Sequence, residues 1–259
     1  MKCLLPNQDR KKDTPPIIVF SPHPDDETLG CGGTIAKMIK SGREVYIVFM
    51  TDGRNSHKYV LGIHDNPSPE ELALIRKREA FNAAKVLGVD ERKLIFLDFE
   101  DGSLKRDISN IKKEVKKILI AINPSDVYIL LNDAHEDHII TNLVVRLCIK
   151  ELKINPKIWE YPIYMDFKEG GKGMRSIFIS DIHDVIELKR RAINTYKSQI
   201  DTLFPSQNKP ILPQNFLQRF YEPKEIFIRR QKDHLVCLRF KLLSMRFKMI
   251  LRALRGARW

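Results

Sequence analysis

One short stretch of the chain concentrates an imidazole and three carboxylates, His23-Pro24-Asp25-Asp26-Glu27. A histidine and an aspartate three residues apart can bind one divalent metal ion from a single turn, while a neighbouring aspartate stays free to act as a base. The spacing alone does not distinguish Asp25 from Asp26 as the metal ligand. A dense charge cluster could also be nothing more than solvated surface.

A second stretch offers complementary groups, which matters because a metal site needs more than two protein ligands. It reads Asn132-Asp133-Ala134-His135-Glu136-Asp137-His138. Combined, the two stretches would supply two histidines and one carboxylate and leave one coordination position open. That pattern is typical of a catalytic zinc site and not of a structural one.

Both stretches follow an apolar run and precede a helical pattern. The runs Ile17–Phe20 and Val127–Leu131 are typical of buried strands, and helices are predicted over 28–40 and 139–150. In open α/β sheets, ligands bind at the carboxyl ends of the strands. Two parallel strands ending side by side would therefore bring the two stretches together, which favours a functional site over solvated surface.

The rest of the chain continues the alternation of strands and helices. Further strands are predicted over 44–50, 93–97 and 177–182, and further helices over 69–87, 108–122 and 184–196. Pro162 interrupts the apolar run Trp159–Met165, which predicts an edge strand there. We expect an α/β fold: a three-layer, mostly parallel, Rossmann-like sheet with helices on both faces.

Composition indicates a folded protein. The 259 residues are 43% hydrophobic and 30% charged, enough for one large domain with a sizeable core. No stretch approaches the roughly 20 apolar residues of a membrane-spanning helix. The four cysteines lie far apart, which suggests a reducing compartment, and Cys31 is expected to be a packed small residue and not a metal ligand. Residues 1–14 form a polar, mobile leader without an apolar signal core, and the main domain is expected over 15–228.

The charge is concentrated at the C-terminus. Residues 229–259 carry ten Lys or Arg and one acidic residue, Asp233, within a chain whose formal net charge is +12. From Leu235 onward, apolar residues form a broad face of a helical wheel opposite a basic wedge. A helix packed on the domain, or an oligomer contact, is one interpretation. A basic amphipathic helix on an anionic membrane surface is the other, and the absence of acids after Asp233 favours it.

The two stretches resemble the PIG-L/LmbE-like deacetylases, which remove the acetyl group from N-acetylglucosamine conjugates. The similarity extends from about Ile17 to Gln199. The second stretch departs from the family's usual His-Pro-Asp-His because Glu136 replaces the proline. Ligand types and spacing survive this change, so it affects loop stiffness more than metal binding.

This resemblance implies a ligand set and a mechanism. Zinc would be held by His23, Asp26 and His138, although iron or another divalent metal stays open. Asp25 would act as general base for the attacking water. His135 would stabilise the oxyanion as a protonated donor, and either Asp25 or His135 would protonate the leaving amine.

Other residues match family positions outside the ligand set. Asp137 would orient His135 or His138. Arg76 would contact the substrate, or else form a helix-surface ion pair with Glu79. Asp101 would bind sugar hydroxyls.

His57, on a polar loop, is expected to be solvated and not a ligand.

Two other classes of function remain open: a basic nucleic-acid binder that uses the tail, and a non-catalytic member of the fold. The tail lacks the alternation of aromatic and basic residues that stacks nucleic acid, so no nucleic-acid partner is expected. The chain has neither a Walker sequence nor a dinucleotide fingerprint, so no nucleotide cofactor is expected. The predicted location is cytoplasmic, with peripheral membrane attachment through 229–259. The sequence leaves the exact substrate and the oligomeric state open.

Overall fold

The computed structural model describes residues 14–131, 135–164 and 175–230. Its centre is one seven-stranded sheet. The strands are β1 (Ile17–Ser21), β2 (Val45–Thr51), β3 (Leu94–Phe99), β4 (Asp126–Leu130), β5 (Lys157–Tyr161), β6 (Arg175–Asp181) and β7 (Lys224–Arg230).

The strand order in the sheet is β3-β2-β1-β4-β5-β7-β6. The first five of these strands are mutually parallel, and β7 runs antiparallel to both β5 and β6. β1 and β2 are buried along their whole length, as expected for parallel strands covered on both faces. The prediction of a mostly parallel sheet is confirmed.

Helices cover both faces of the sheet. They are α1 (Asp26–Lys40), α2 (Ser56–Leu61), α3 (Pro69–Leu87), α4 (Ile108–Ile122), α5 (Glu136–Glu151), α6 (Ile186–Ile193), α7 (Lys197–Ile200) and α8 (Gln214–Leu217). One hydrophobic core lies between the sheet and α1, α3 and α6, and the other lies between the sheet and α4 and α5. These two cores confirm the predicted three layers.

Local sequence signals mark ends of α3 and α4, the two helices whose bounds the sequence predicts best. α3 begins in a capping box, in which the Ser68 hydroxyl accepts the Glu71 N–H and the Glu71 carboxylate accepts the Ser68 N–H. It ends at Gly88, which has the left-handed conformation. α4 ends at Asn123 in the same conformation. Both helices have the predicted bounds.

The prediction of an edge position for β5 is wrong, because β5 lies between β4 and β7. Pro162 comes after the last residue of the strand, so its missing N–H does not interrupt the ladder. The partner on that side, β7, is absent from the predicted elements. β7 extends to Arg230, so Arg229 and Arg230, which belong to the predicted basic tail, are strand residues.

The helix predicted over 184–196 is shorter than expected. A 3-10 turn spans His183–Val185, and α6 ends at Ile193. Among the described residues, no helix combines the length and apolar character needed to cross a membrane. The predicted leader, apart from Thr14, and residues 231–259 of the predicted tail lie outside the described ranges.

Candidate metal and catalytic site

The two sequence stretches meet because β1 and β4 are parallel neighbours in the sheet. Ile17 lies beside Asp126 and Val19 beside Tyr128, so the two strands end at the same edge. The first stretch leads from β1 into α1, and the second leads from β4 into α5. Their side chains therefore converge at the carboxyl edge of the sheet, where α/β proteins bind ligands.

Three donor atoms form a small triangle at this edge. His23 Nδ1 lies 3.1 Å from Asp26 Oδ2, and His138 Nε2 lies 3.3 Å from His23 Nδ1. The third side, from His138 Nε2 to Asp26 Oδ2, measures 3.4 Å. All three side chains are buried. A shared cation, or shared protons, would stabilise two imidazole nitrogens and a carboxylate oxygen so close together.

The dimensions of the triangle fit a tetrahedral metal ion. Nitrogen and oxygen donors at about 2.0–2.1 Å from a tetrahedral zinc lie about 3.3–3.4 Å from one another. The three measured separations fall close to that range. One ring nitrogen from each of His23, His135 and His138 also lies within 4.8 Å of the other two. The predicted ligands His23, Asp26 and His138 therefore fit a divalent metal.

The second nitrogen of His23 has its own carboxylate partners. Nε2 lies 3.2 Å from Asp101 Oδ1 and 3.5 Å from Asp137 Oδ2. Asp101 also accepts the backbone N–H of Asn55, at 3.1 Å. Carboxylates that hold the far nitrogen of a metal-binding histidine fix its tautomer and orientation. His23 is thus arranged to present Nδ1 to a metal.

This geometry adds to the role expected of Asp101. Asp101 is 3% exposed and its carboxylate is engaged by His23 and by Asn55, which adds a role in orienting His23, while its contact with sugar hydroxyls stays a prediction. Asp137 accepts the backbone N–H groups of Gly102 and Leu104, at 2.7 and 3.3 Å. Asp137 is therefore a buried support of the site, and its predicted contact with His135 or His138 stays a prediction.

Arg76 is buried against the first motif. Its guanidinium lies 2.9 Å from Asp25 Oδ2 and donates hydrogen bonds to the carbonyl oxygens of Pro24 and Gly53. A side chain at Gly53 would collide with this guanidinium, so glycine makes room for it. Arg76 is only 2% exposed, which disagrees with a surface ion pair, and its contact with the substrate stays a prediction. Its position orients Asp25.

Glu79, the other member of the expected surface pair, is also buried. Its carboxylate accepts the backbone N–H of Ser198 at 2.7 Å and the Ser198 hydroxyl at 2.6 Å. Two residues one turn apart on α3 therefore support the site: Arg76 contacts the first stretch, and Glu79 binds the start of α7.

The adjacent carboxylates Asp25 and Asp26 have different electrostatic surroundings. Burial raises the pKa of Asp25 to about 7, against the opposing effect of the Arg76 guanidinium. Burial alone would also raise the pKa of Asp26, but the charge and hydrogen bonds of His138 and His23 lower it well below its usual value. Two neighbouring carboxyl groups with separated pKa values are typical of sites that divide ligand and acid–base roles.

The backbone at Asp25 is strained, and Glu27 holds it. Asp25 has a φ of 135°, a region that costs a non-glycine residue on the order of 1–3 kcal/mol. The buried Glu27 carboxylate accepts the Asp25 N–H at 3.2 Å and the Ser21 hydroxyl at 3.0 Å. It also accepts the hydroxyls of Thr28 and Tyr196, both at 2.6 Å. Glu27 thus anchors the turn.

His135 lies beside the proposed ligands. Its ring centroid is 4.7 Å from that of His23 and 4.7 Å from that of His138. Burial and the positive charge of these two imidazoles lower the pKa of His135. That direction favours the neutral ring, contrary to the expected protonated donor. A neutral imidazole still donates one N–H.

Two residues outside the ligand set have clear positions. His57 is 1% exposed and packs edge-on against Phe204, so the expectation of a solvated side chain is wrong. Burial and the charge of Arg76 lower the pKa of His57 to about 4. Cys31 is a buried residue of the hydrophobic core, as expected.

A buried ion pair far along the chain supports α1. Lys189 Nζ lies 2.8 Å from Glu225 Oε1, and both side chains are almost fully buried. The Glu225 carboxylate also accepts the backbone N–H groups of Gly33 and Thr34, each at 2.8 Å. Neither residue is predicted from the sequence, because no local pattern marks a lysine and a glutamate that come into contact only when the chain folds.

Fold and site together define an α/β protein with a two-histidine, one-carboxylate donor set at the carboxyl edge of a mostly parallel sheet. The family model for PIG-L, described as GlcNAc-PI de-N-acetylase, matches residues 18–149, about half of the chain. The chain belongs to the PIG-L family.

Relatives and solved structures agree with this placement. A diacetylchitobiose deacetylase of Thermococcus kodakarensis is 30% identical over 208 residues, covering 72% of this chain and 71% of the relative. A probable N-acetyl-alpha-D-glucosaminyl L-malate deacetylase 2 of Bacillus cereus is 26% identical, and the match covers 75% of this chain and 88% of that relative. The structure of N,N'-diacetylchitobiose deacetylase from Pyrococcus horikoshii, in complex with its inhibitor MPG, matches with a TM-score of 0.57. It is 31% identical and covers 74% of this chain and 73% of that one.

Proposed function

We propose that this protein is a metal-dependent hydrolase that removes the acetyl group from an N-acetylglucosamine-type sugar conjugate. The main support is the triangle of donor atoms from His23, Asp26 and His138, with Asp25 beside it but directed to Arg76. The named activities of the relatives support the N-acetylated sugar as substrate.

We propose zinc as the metal, since two imidazoles and one carboxylate are typical ligands of catalytic zinc sites. A divalent ion bound there would lower the pKa of water and polarise the amide carbonyl. Iron is the alternative that a metal analysis would reveal.

The chain's own groups then perform the proton transfers. Asp25, fixed by the Arg76 guanidinium, takes a proton from the attacking water. His135 donates an N–H to the carbonyl oxygen as that oxygen gains negative charge. The amine leaves after it receives a proton from Asp25 or His135. Asp101 keeps His23 in the required tautomer throughout.

The test is acetate release by the purified full-length protein after metal removal and reconstitution with zinc or iron. Substrates would be N-acetylglucosamine, N,N'-diacetylchitobiose and N-acetylglucosaminyl malate. We expect acetate from at least one of them with metal, and none after chelation. Metal-independent release, or no release from any N-acetylated sugar with the metal bound, would contradict the proposal.

We also propose that residues 229–259 attach the protein to the cytoplasmic face of a membrane, which would suit a lipid-linked N-acetylated sugar. The support lies in the sequence, where ten basic residues accompany a single acid and a broad apolar face. Each basic residue near an anionic surface contributes about 1 kcal/mol. The competing interpretation is a helix that packs on the domain or on a second copy.

Vesicle co-sedimentation distinguishes these interpretations. The full-length protein and a chain that stops after Arg230, which keeps β7 complete, would be compared on anionic and neutral vesicles at low and high salt. We expect salt-sensitive binding of the full-length protein to anionic vesicles, and its loss in the shortened chain. Equal binding of both chains, or no preference for anionic vesicles, would contradict membrane attachment and leave the lipid-linked substrate without support.

A further inference from the structure

An exposed aromatic ring lies directly against the proposed metal ligand His138. The Tyr164 ring stacks on the imidazole with centroids 5.8 Å apart and planes inclined by 20°. Tyr164 lies three residues after the end of β5 and is 50% exposed. The mechanism assigns no task to this ring, although it lies at the edge of the site.

Tyr164 is the exposed end of a row of aromatic rings. The centroid of the Tyr164 ring lies 5.4 Å from that of Phe216, and the Phe216 centroid lies 5.3 Å from that of Phe220. Phe220 is buried, Phe216 is half-buried and Tyr164 is exposed, so the row leads from the core to the surface beside the site. Neither α8 nor the turn after it belongs to the region that the family model matches.

Arg219 stiffens this row. Its guanidinium carbon lies 4.9 Å from the Phe216 ring centre and 5.3 Å from the Phe220 ring centre. The same group donates a hydrogen bond to the carbonyl oxygen of Ile163, the residue before Tyr164. Arg219 thereby ties the loop after β5 to the segment after α8, and it holds the rings in a fixed relation.

We propose that Tyr164 and Phe216 form a subsite for a second pyranose ring, joined to the N-acetylated sugar whose amide is cleaved. This inference rests on the proposed function. A pyranose presents a face of C–H groups that packs on an aromatic ring, and a fixed ring offers that contact at little cost in conformational entropy. Because the Tyr164 ring centroid lies 5.8 Å from that of His138, a ring linked to the reacting sugar falls within reach of Tyr164.

The composition of the surface favours a ring over an acidic, acyclic group. Arg219 is exposed, but its guanidinium already packs on two rings and donates to the carbonyl oxygen of Ile163, so the surface beside the site is mainly aromatic. Two relatives exemplify the alternatives, since one is named for diacetylchitobiose and the other for an N-acetylglucosaminyl malate. The aromatic surface predicts that this protein prefers the disaccharide to the malate conjugate.

The experiment measures kcat/KM of the metal-loaded protein for N,N'-diacetylchitobiose, N-acetylglucosamine and N-acetylglucosaminyl malate. We expect Tyr164→Leu and Phe216→Leu each to lower the ratio of disaccharide to monosaccharide kcat/KM by about 2- to 10-fold, the range of one aromatic contact. Tyr164→Phe keeps the ring and should keep the ratio. Phe178→Leu, an exposed aromatic residue on β6, serves as the control.

Metal content is measured for every variant, because Tyr164 packs on a proposed ligand. An unchanged ratio in both leucine variants with the metal bound would overturn the subsite, as would a wild-type preference for the malate conjugate. If the wild-type protein releases acetate from none of the sugars, the proposed function itself fails. That result differs from activity on both sugars with an unchanged ratio, which removes only the subsite.

Discussion

Residues 18–149 and residues 150–230 contribute to the site in different ways. The first region carries the proposed ligands and the base on two short stretches that directly follow β1 and β4. The second region contributes side chains that reach those stretches only through the fold. Tyr196 binds Glu27, Ser198 binds Glu79, and Glu225 binds the backbone of α1.

This difference shows how chemistry and support are divided along the chain. Reacting groups must lie within a few ångströms of one another, and a strand followed by a turn achieves that with consecutive residues. Supporting groups need only reach the turn from any direction, so they are scattered in sequence. Substitutions of the proposed ligands and base should therefore remove activity from a folded protein, whereas substitutions of the buried supporting groups Tyr196, Ser198 and Glu225 should first lower stability.

The largest effect is expected for a metal ligand. His138→Ala should lose most bound zinc, with affinity reduced by more than the roughly 10- to 100-fold typical of residues that only orient a ligand. Metal analysis after dialysis against a weak chelator measures this. His183→Ala, which removes an exposed histidine, is the control. Stoichiometric zinc at this site in the His138 variant would show that the ligand assignment is wrong.

The next largest effect is expected for the base. Asp25→Asn preserves shape but cannot accept the proton, so turnover should fall by roughly 10²- to 10⁴-fold while the metal stays bound. Steady-state kinetics with metal analysis provides the check, and Asp98→Asn on the exposed edge of β3 is the matched control. A turnover close to normal in Asp25→Asn would remove this residue from the mechanism.

The ion pair in the second region should affect stability more than chemistry. Lys189→Met leaves the Glu225 carboxylate buried without its cation, which should lower the free energy of unfolding by about 3–5 kcal/mol. Lys37→Met breaks an exposed pair with Asp184 and should cost no more than about 1 kcal/mol. Denaturant unfolding measures both.

A second variant tests the same explanation. Adding Glu225→Gln to Lys189→Met removes the unpaired charge, so part of the stability should return. Equal stability losses in the single and double variants would mean that charge is not the cause.

The smallest effect is expected for Tyr196→Phe. It removes one hydrogen bond to the Glu27 carboxylate, so the free energy of unfolding should fall by about 1–3 kcal/mol. Turnover should fall by less than about tenfold, which is below the roughly 10²-fold lower end of acid–base effects. Thermal unfolding and kinetics measure the two quantities, with Tyr221→Phe as the control. A loss of turnover as large as that of Asp25→Asn would place Tyr196 in the chemistry instead of its support.

Sequence patterns predict the parallel part of the fold well because its signals are local. Continuous apolar runs mark β1 and β2, and a capping box and a left-handed glycine mark the ends of α3. In the antiparallel part, β6 is predicted from the sequence, whereas β7 is not. The pairing of β7 with β5 joins residues about 70 positions apart, so Pro162 could not reveal that β5 lies inside the sheet.

In the site, too, the features with local sequence signals are the predictable ones. His23 and His138 could be brought together from the sequence, because each lies just after a strand whose neighbour is predictable. The burial of Arg76 depends on the space at Gly53, and the contact of Asp101 depends on which nitrogen His23 presents to the metal. Such facts belong to three-dimensional packing and have no local signal in the sequence.

The direction of β7 determines where the remaining chain leaves the domain. Because β7 runs antiparallel to β5, Arg230 lies towards the amino end of β5, away from the edge that carries the site. The seven residues of β7 extend about 20 Å at about 3.3 Å per residue. For a bilayer bound by residues 231–259 to reach the mouth of the site, those residues must run back along the molecule over a comparable distance. A lipid-linked substrate therefore requires this path of residues 231–259, whereas a freely diffusing sugar does not.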